Sequence, residues 1–242
     1  DYFGHQGRLS SSNALFLTVA AGELGRCYSL ERVFRAEPSA TSKHLTEFDM
    51  LEVAVLGSGL DESMNQLERF IISLLDVEWP SSVMKRILRL RTDVCMPFRR
   101  VSYLDIEKEY TLNGHGLGKH ERSLASQGPI FVVNFPQTIA SWASRKYGDR
   151  LTHSFNLLLP EIGEVAEGSE RDTDVERLKE RFKKWQMNRQ LGWYANSIRY
   201  PGSKVSIYGL GIERLAMWLF GVRNIRETGL FVRDGTFREL DE

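Results

Sequence analysis

Cysteine, proline and uninterrupted apolar sequence are all scarce in this chain of 242 residues. The two cysteines, Cys27 and Cys95, are far apart and lack the companions of a zinc or redox motif, so a reduced, cytoplasmic setting is expected. Five histidines form no HExxH-type pair, which argues against a histidine-based metal site. The densest apolar runs, PIFVVNFP and HSFNLLLP, fall well short of the roughly 18 residues that a membrane span needs, so no membrane partner is expected. No charged-then-apolar leader, internal repeat or low-complexity tract is visible. An excess of one charge is missing too. With 32 Lys and Arg against 32 Asp and Glu the formal net charge is zero, unlike a histone-like or tail-type nucleic-acid binder.

What remains is an ordinary globular composition, 42% hydrophobic and 26% charged, in a chain long enough to bury a sizeable core. The run Cys27 to Arg35 (CYSLERVFR) alternates, with Tyr28, Leu30 and Phe34 on one parity, and predicts a strand with one apolar face. After a polar stretch, FDMLEVAVL predicts a returning strand, giving a hairpin with a long functional tip. Ser58 to Val77 predicts a helix capped by Ser58, and Val83 to Arg91 a short basic helix. Strands are expected at Ile130–Asn134 and Ser154–Leu159, one charged helix over Asp172 to Gln190, and a last helix from Ile212 to Leu219. Clustered strands with flanking helices indicate an α+β domain on an antiparallel sheet.

Three places carry chemistry. Around the hairpin tip lie Arg35, Glu37, Lys43 and His44, with Phe48 on the returning strand. Arginine can fork onto a phosphate, lysine or histidine can add charge, and a ring can stack on a base. The alternative is a surface loop with a salt bridge and a core phenylalanine. In SIYGLGIERLAMWLFG, Gly209 and Gly211 permit close backbone approach before a helix start whose free N–H groups suit an anion, and Arg214 in that first turn opposes the helix dipole unless an anion joins it. Between these, LLLPEIGEVAEGSERD packs Glu161, Glu164, Glu167 and Glu170 beside Arg171. Some of these carboxylates could serve Mg²⁺, which takes one or two carboxylates plus phosphate oxygens.

Together the segments resemble the class II aminoacyl-tRNA synthetases of the aspartyl/asparaginyl subgroup. VFRAEPSATSKHLTEF resembles their motif 2 and GLGIERLAMWLFGVRNIRE their motif 3. MPFRRVSY, LGKHERSLA, IFVVNFP and LLLPEIGEVAEGSER resemble asparaginyl-type spacers in the same order, over residues 3 to 233. The resemblance implies an ATP- and Mg²⁺-dependent ligase that makes an acyl-adenylate. It assigns Arg35 to the α-phosphate and the attacked carboxylate, Glu37 to the nucleotide, His44 to the terminal phosphates, Phe48 to adenine and Arg214 to the γ-phosphate. Gly209 and Gly211 would line the ATP site. Glu164 would bind Mg²⁺, with Asn156 at the position of the family's first Mg²⁺-linked aspartate. Arg171 and Ser169 would hold the amino acid with Ala14, and Glu121 its amino group.

This chain departs from the pattern mainly around the amino acid. Ala14 replaces a glutamine, Leu17 the lysine of aspartyl enzymes, Asn156 an aspartate, Glu167 the first glycine of a Gly-Gly-Ser, and Lys43 the arginine before the loop histidine. Motif 1 and the anticodon-binding domain would fall before Asp1, so a single catalytic domain over residues 1–242 is expected, and the resemblance implies a homodimer. Two enzyme readings follow: transfer of an Asp- or Asn-like acyl group to tRNA, or a paralogue passing it to ammonia, an amine or a carrier protein. A non-catalytic regulatory module is the third reading.

Overall fold

The computed structural model describes residues 3–4, 7, 9–36, 41–112 and 115–234. In chain order the elements are α1 (Ala14–Leu24), β1 (Arg26–Phe34), β2 (Glu47–Leu56), α2 (Leu60–Leu75), α3 (Ser81–Asp93), β3 (Arg99–Ser102), α4 (Tyr103–Tyr110) and α5 (Glu121–Leu124). Then come β4 (Ile130–Val133), β5 (Lys146–Tyr147), β6 (Leu151–Thr152), β7 (Ser154–Leu159), β8 (Gly163–Glu170), α6 (Val175–Lys184), α7 (Asn188–Ser197), β9 (Val205–Gly211) and α8 (Ile212–Phe220). Seven strands form one sheet in the order β1-β2-β9-β8-β7-β4-β3. Every pair is antiparallel except β3 with β4, so the α+β expectation holds with one parallel edge pair.

The sheet is covered on both faces, unevenly. On one face Leu67, Ile71 and Leu75 of α2, with Ile87, Leu90, Leu215 and Trp218, pack on Phe131, Phe155, Leu157 and Leu210. Those helices repeat apolar residues every three or four positions, which is what a helix on a sheet must bury. Among the described residues, the other face is covered only at its two ends. At one end Leu17 and Ala21 of α1 close over Ala54, Val205 and Ile207, and α6 and α7 pack outside α1. At the other, Tyr103, Ile106 and Leu124 close over Ile130, Val132 and Leu158. The described residues leave the middle of that face open.

Several expectations need correcting. Gly59, not Ser58, takes the N-cap of α2, and the Ser58 hydroxyl donates to the Gly59 carbonyl at 3.4 Å instead. The charged segment after Asp172 is two helices, because Gln186 adopts φ +57° and turns the chain between α6 and α7. Despite the charge of this segment, Leu178, Phe182 and Tyr194 are buried. Tyr28 and Leu30, the predicted apolar face of β1, are 73% and 58% exposed.

Candidate active site

Strand alternation aims the polar residues into the open middle. Glu52, Gly209, Glu167 and Asn156 occupy one cross-strand row on β2, β9, β8 and β7, and Ala54, Ile207, Ser169 and Ser154 the next. Two acidic residues share this face only because of an irregularity. Leu157 pairs with Ala166 but Leu158 pairs with Glu164, so Val165 is an extra residue. A bulge of this kind resets the alternation, and Glu164 and Glu167, three apart, point the same way. At the start of β8, Gly163 has φ +86°, and a Cβ there would lie 2.6 Å from Glu121 Oε2. Glycine is needed on both counts.

The result is a cavity of about 260 Å³ that brings together Ala14, Arg35, His44, Phe48, Glu164, Ser169, Arg171, Gly209, Gly211 and Arg214. Glu121 and Asn156 line an adjoining cavity that shares Glu164 and Glu167 with it. Glu37 lies outside the described residues.

Arg35 reaches back over the sheet. Its Nε donates to the Ser11 carbonyl at 3.5 Å, and its guanidinium carbon is 5.2 Å from the centre of the Phe48 ring. His44 Nδ1 contacts Thr41 Oγ1 at 2.5 Å. Arg214, in the first turn of α8, donates through Nε to the Lys43 carbonyl at 3.3 Å and through Nη1 to Glu164 Oε1 at 3.2 Å. Glu164 Oε2 accepts from Asn156 Nδ2 at 2.6 Å, so Asn156 meets this carboxylate through a donor atom. Burial raises the Glu164 carboxyl above the usual range; Arg214 and Lys43 oppose the shift, and Glu121 and Glu167 reinforce it.

Glu121 is already engaged. Its Oε2 accepts from Lys43 Nζ at 2.6 Å and from the Glu164 N–H at 3.1 Å. Gly209 sits close to its neighbours, a Cβ there falling 3.1 Å from Met50 Sδ. At Gly211, with φ −75°, a Cβ would meet nothing nearer than 3.8 Å, so the fold itself does not require that glycine.

Arg171 is the least ordinary residue. It is 8% exposed, its Nε has no hydrogen-bond partner among the described residues, and Nη1 makes only a 3.4 Å contact with Ser141 Oγ. Burial lowers its pKa from the ordinary arginine value, while Tyr194, Glu167 and Glu52 pull the other way. A buried cation left unsatisfied is costly, and it is explained when an incoming oxygen completes it.

Among the lining residues that sequence reasoning missed, four carry hydroxyl or carboxylate groups that bear on the site: Ser12, Glu52, Ser141 and Glu213. Glu52 is 2% exposed and accepts from Ser12 Oγ at 2.5 Å and the Asn13 N–H at 2.6 Å. Its signal was available, since Glu52 shares the parity of Phe48 and Met50 in the returning strand. Glu213 accepts the Asp49 N–H through both oxygens, at 2.9 and 3.1 Å. Nothing local in the sequence points to Ser141.

The fold and site define a mostly antiparallel α+β sheet domain that gathers arginines from its first hairpin, from just beyond its central strand and from the helix after its last strand, and comparison gives the family. The family described as tRNA synthetases class II (D, K and N) matches residues 1–235, and the chain belongs to it. The asparagine–tRNA ligase of Treponema denticola is 33% identical over 260 residues, covering 96% of this chain and 55% of that protein. Asparaginyl-tRNA synthetase from Entamoeba histolytica, solved with asparaginyl-adenylate, superposes with TM-score 0.83 at 28% identity, over 99% of this chain and 59% of that one. The Pyrococcus horikoshii enzyme, also with asparaginyl-adenylate, gives TM-score 0.83 at 30% identity, over 98% and 58%. The chain thus spans a little over half the length of these relatives. No described helix is long and apolar enough to cross a membrane.

Proposed function

We propose that this chain carries the adenylate-forming site of an asparaginyl-tRNA-synthetase-like ligase, activating an Asn- or Asp-like amino acid with ATP for transfer to tRNA. The observation that carries this is the convergence of Arg35, Arg171 and Arg214 on one cavity, Arg171 buried and unsatisfied. In the reaction an oxygen of the substrate carboxylate attacks the α-phosphorus, the bond to the bridging oxygen of pyrophosphate breaks, and the acyl-adenylate remains. Arg35 is suited to the α-phosphate and attacking carboxylate, with Phe48 beneath it as a shelf for a base. Arg214 and His44 are suited to the outer phosphates, and Arg171 and Ser169 to the side-chain carbonyl. Positioning and charge neutralisation are what such a displacement requires.

Among the described residues no three His, Cys, Asp or Glu side chains cluster as a self-sufficient metal site. That donor set fits only a cation arriving on the phosphates and held by one carboxylate, a role to which Glu164 is suited. Such a Mg²⁺ ion would neutralise phosphate charge. Cytoplasmic location and a homodimer complete the reading.

Amino-acid-dependent ATP–pyrophosphate exchange tests it. Exchange with asparagine or aspartate is expected, and Arg214→Ala should lower it by about 10²–10³-fold. No exchange with any of the twenty amino acids would overturn the proposal. The departures around the amino acid, Ala14 and Glu167 above all, favour the paralogue as second reading. Robust exchange without charging of total tRNA would select it.

A further inference from the structure

The carboxylates around the cavity are not equivalent. Glu52 is held by Ser12 and the Asn13 N–H, Glu164 by Arg214 and Asn156, and Glu213 by the Asp49 N–H. Glu121, next door, is taken by Lys43 and the Glu164 N–H. Glu167 is the exception. It makes no hydrogen bond or ion pair with any described residue, is exposed, and borders the central cavity, its neighbour and the groove outside.

Its surroundings are built for a small bipolar molecule. Along the cavity side of β8 and just beyond it stand Glu167, Ser169 and Arg171: an acceptor, a hydroxyl and a donor. Four residues of extended chain separate the outer two by about 13 Å at the backbone, and both line the cavity. In the cross-strand row, Gly209 lies between Glu167 and Glu52 and adds no side chain, leaving about 9–10 Å between the flanking strands. Ala14, on the same cavity, offers only a methyl group. A cation entering there meets one carboxylate with both oxygens uncommitted.

We propose that Glu167 binds the α-ammonium of the amino-acid substrate, with Arg171 taking the side-chain oxygen at the other end. This rests on the adenylation reading. It moves the amino-group contact from Glu121, whose carboxylate is already engaged, to a residue the family pattern does not assign.

The test compares asparagine with succinamic acid, which keeps the amide and carboxylate but lacks the ammonium, and aspartate with succinic acid in the same way. In pyrophosphate exchange, Glu167→Gln should raise the KM for the amino acid by about 10- to 100-fold, as expected for losing one charged hydrogen bond. The KM for ATP and turnover of the desamino acid should not change, so preference for the ammonium-bearing substrate should shrink by the same factor. Unchanged amino-acid KM and unchanged preference would overturn the proposal. Calorimetric titration of the same four acids decides it separately. Weaker amino-acid binding with unaltered desamino binding in Glu167→Gln supports the assignment, and equal binding in both proteins refutes it. Absent exchange in the wild type would sink the adenylation reading, while titration still tests the Glu167 assignment.

Discussion

Adding one methyl group at Gly168 should unsettle the molecule more than most core changes. Gly168 pairs with Phe155 across β8 and β7, on the sheet face away from the cavity. A Cβ there would lie 2.3 Å from Phe155 Cζ, 2.5 Å from Cε1 and 3.0 Å from the Ile207 carbonyl. Phe155 cannot simply swing aside. It is fully buried, its ring stands edge-on to Phe131 with centroids 5.3 Å apart, and Phe131 in turn stacks on Phe98 at 6.1 Å. Overpacking of this kind costs about 1–3 kcal/mol, and with three aromatic rings in series the upper half of that range applies. For a domain of this size each kcal/mol is worth roughly 2–4 °C, so Gly168→Ala should melt about 5–10 °C below wild type by calorimetry. Gly211→Ala is the control, since its Cβ finds only ordinary contacts, and it should melt within roughly 1 °C. A cycle with Phe155→Leu sharpens the test: the double variant should be less destabilised than the sum of the singles, because the leucine no longer carries the offending ring edge. A Gly168→Ala melting point within about 1 °C of wild type, or an additive cycle, would refute the steric account.

Other expectations concern charge. Arg171→Met removes a buried cation with an unpartnered Nε, so the melting temperature should hold or rise while amino-acid-dependent exchange is lost; a large drop in melting temperature would show that Arg171 is a structural residue. Burial raises the Glu213 carboxyl above its usual range, against the pull of the Asp49 N–H. The folded state therefore binds this proton more tightly than the unfolded chain, and its contribution to stability is present at low pH and lost as pH rises from the ordinary glutamate value through the raised one. Relative to Glu213→Gln, ligand-free wild type should lose stability across that window, and parallel melting curves against pH would exclude the shift.

How far these features could be read in advance depended on where the determining interaction lies. The β1–β2 hairpin is legible because alternation is local, and α2 and α8 because their apolar spacing is. The glycine- and glutamate-rich β8 has little intrinsic strand character and reads as a loop; pairing to β7 and β9 on both sides makes it a strand. Its bulge at Val165 decides that Glu164 and Glu167 share a face, and no spacing rule foretells that. Helix α1, ALFLTVAAGEL, is apolar around most of its circumference and gives no periodic signal; it is covered by the sheet on one side and by α7 on another. The break at Gln186 has no proline or glycine to announce it.

The electrostatics of the cavity also could not be summed from composition. Its lining includes Arg35, Lys43, Arg171 and Arg214 against Glu52, Glu164, Glu167 and Glu213, four of each sign, as balanced as the chain itself. Bond lengths break that symmetry. Glu52 is fixed at 2.5 and 2.6 Å and Glu213 at 2.9 and 3.1 Å, whereas Arg35, Arg171 and Arg214 are restrained only by contacts of 3.2–3.5 Å. Lys43, tied to Glu121 at 2.6 Å, is the one firmly held cation of that lining. Short bonds saturate acceptors, and long ones leave donors free to exchange. A cavity neutral by count is therefore receptive to anions at three points and, apart from a metal ion carried by the phosphates to Glu164, offers an ammonium group one uncommitted carboxylate among the described residues, Glu167. An amino acid beside a polyphosphate presents that combination, several negative oxygens and one ammonium, so the same asymmetry that supports adenylation also predicts that neutralising Glu167 weakens binding of the amino acid and spares the nucleotide.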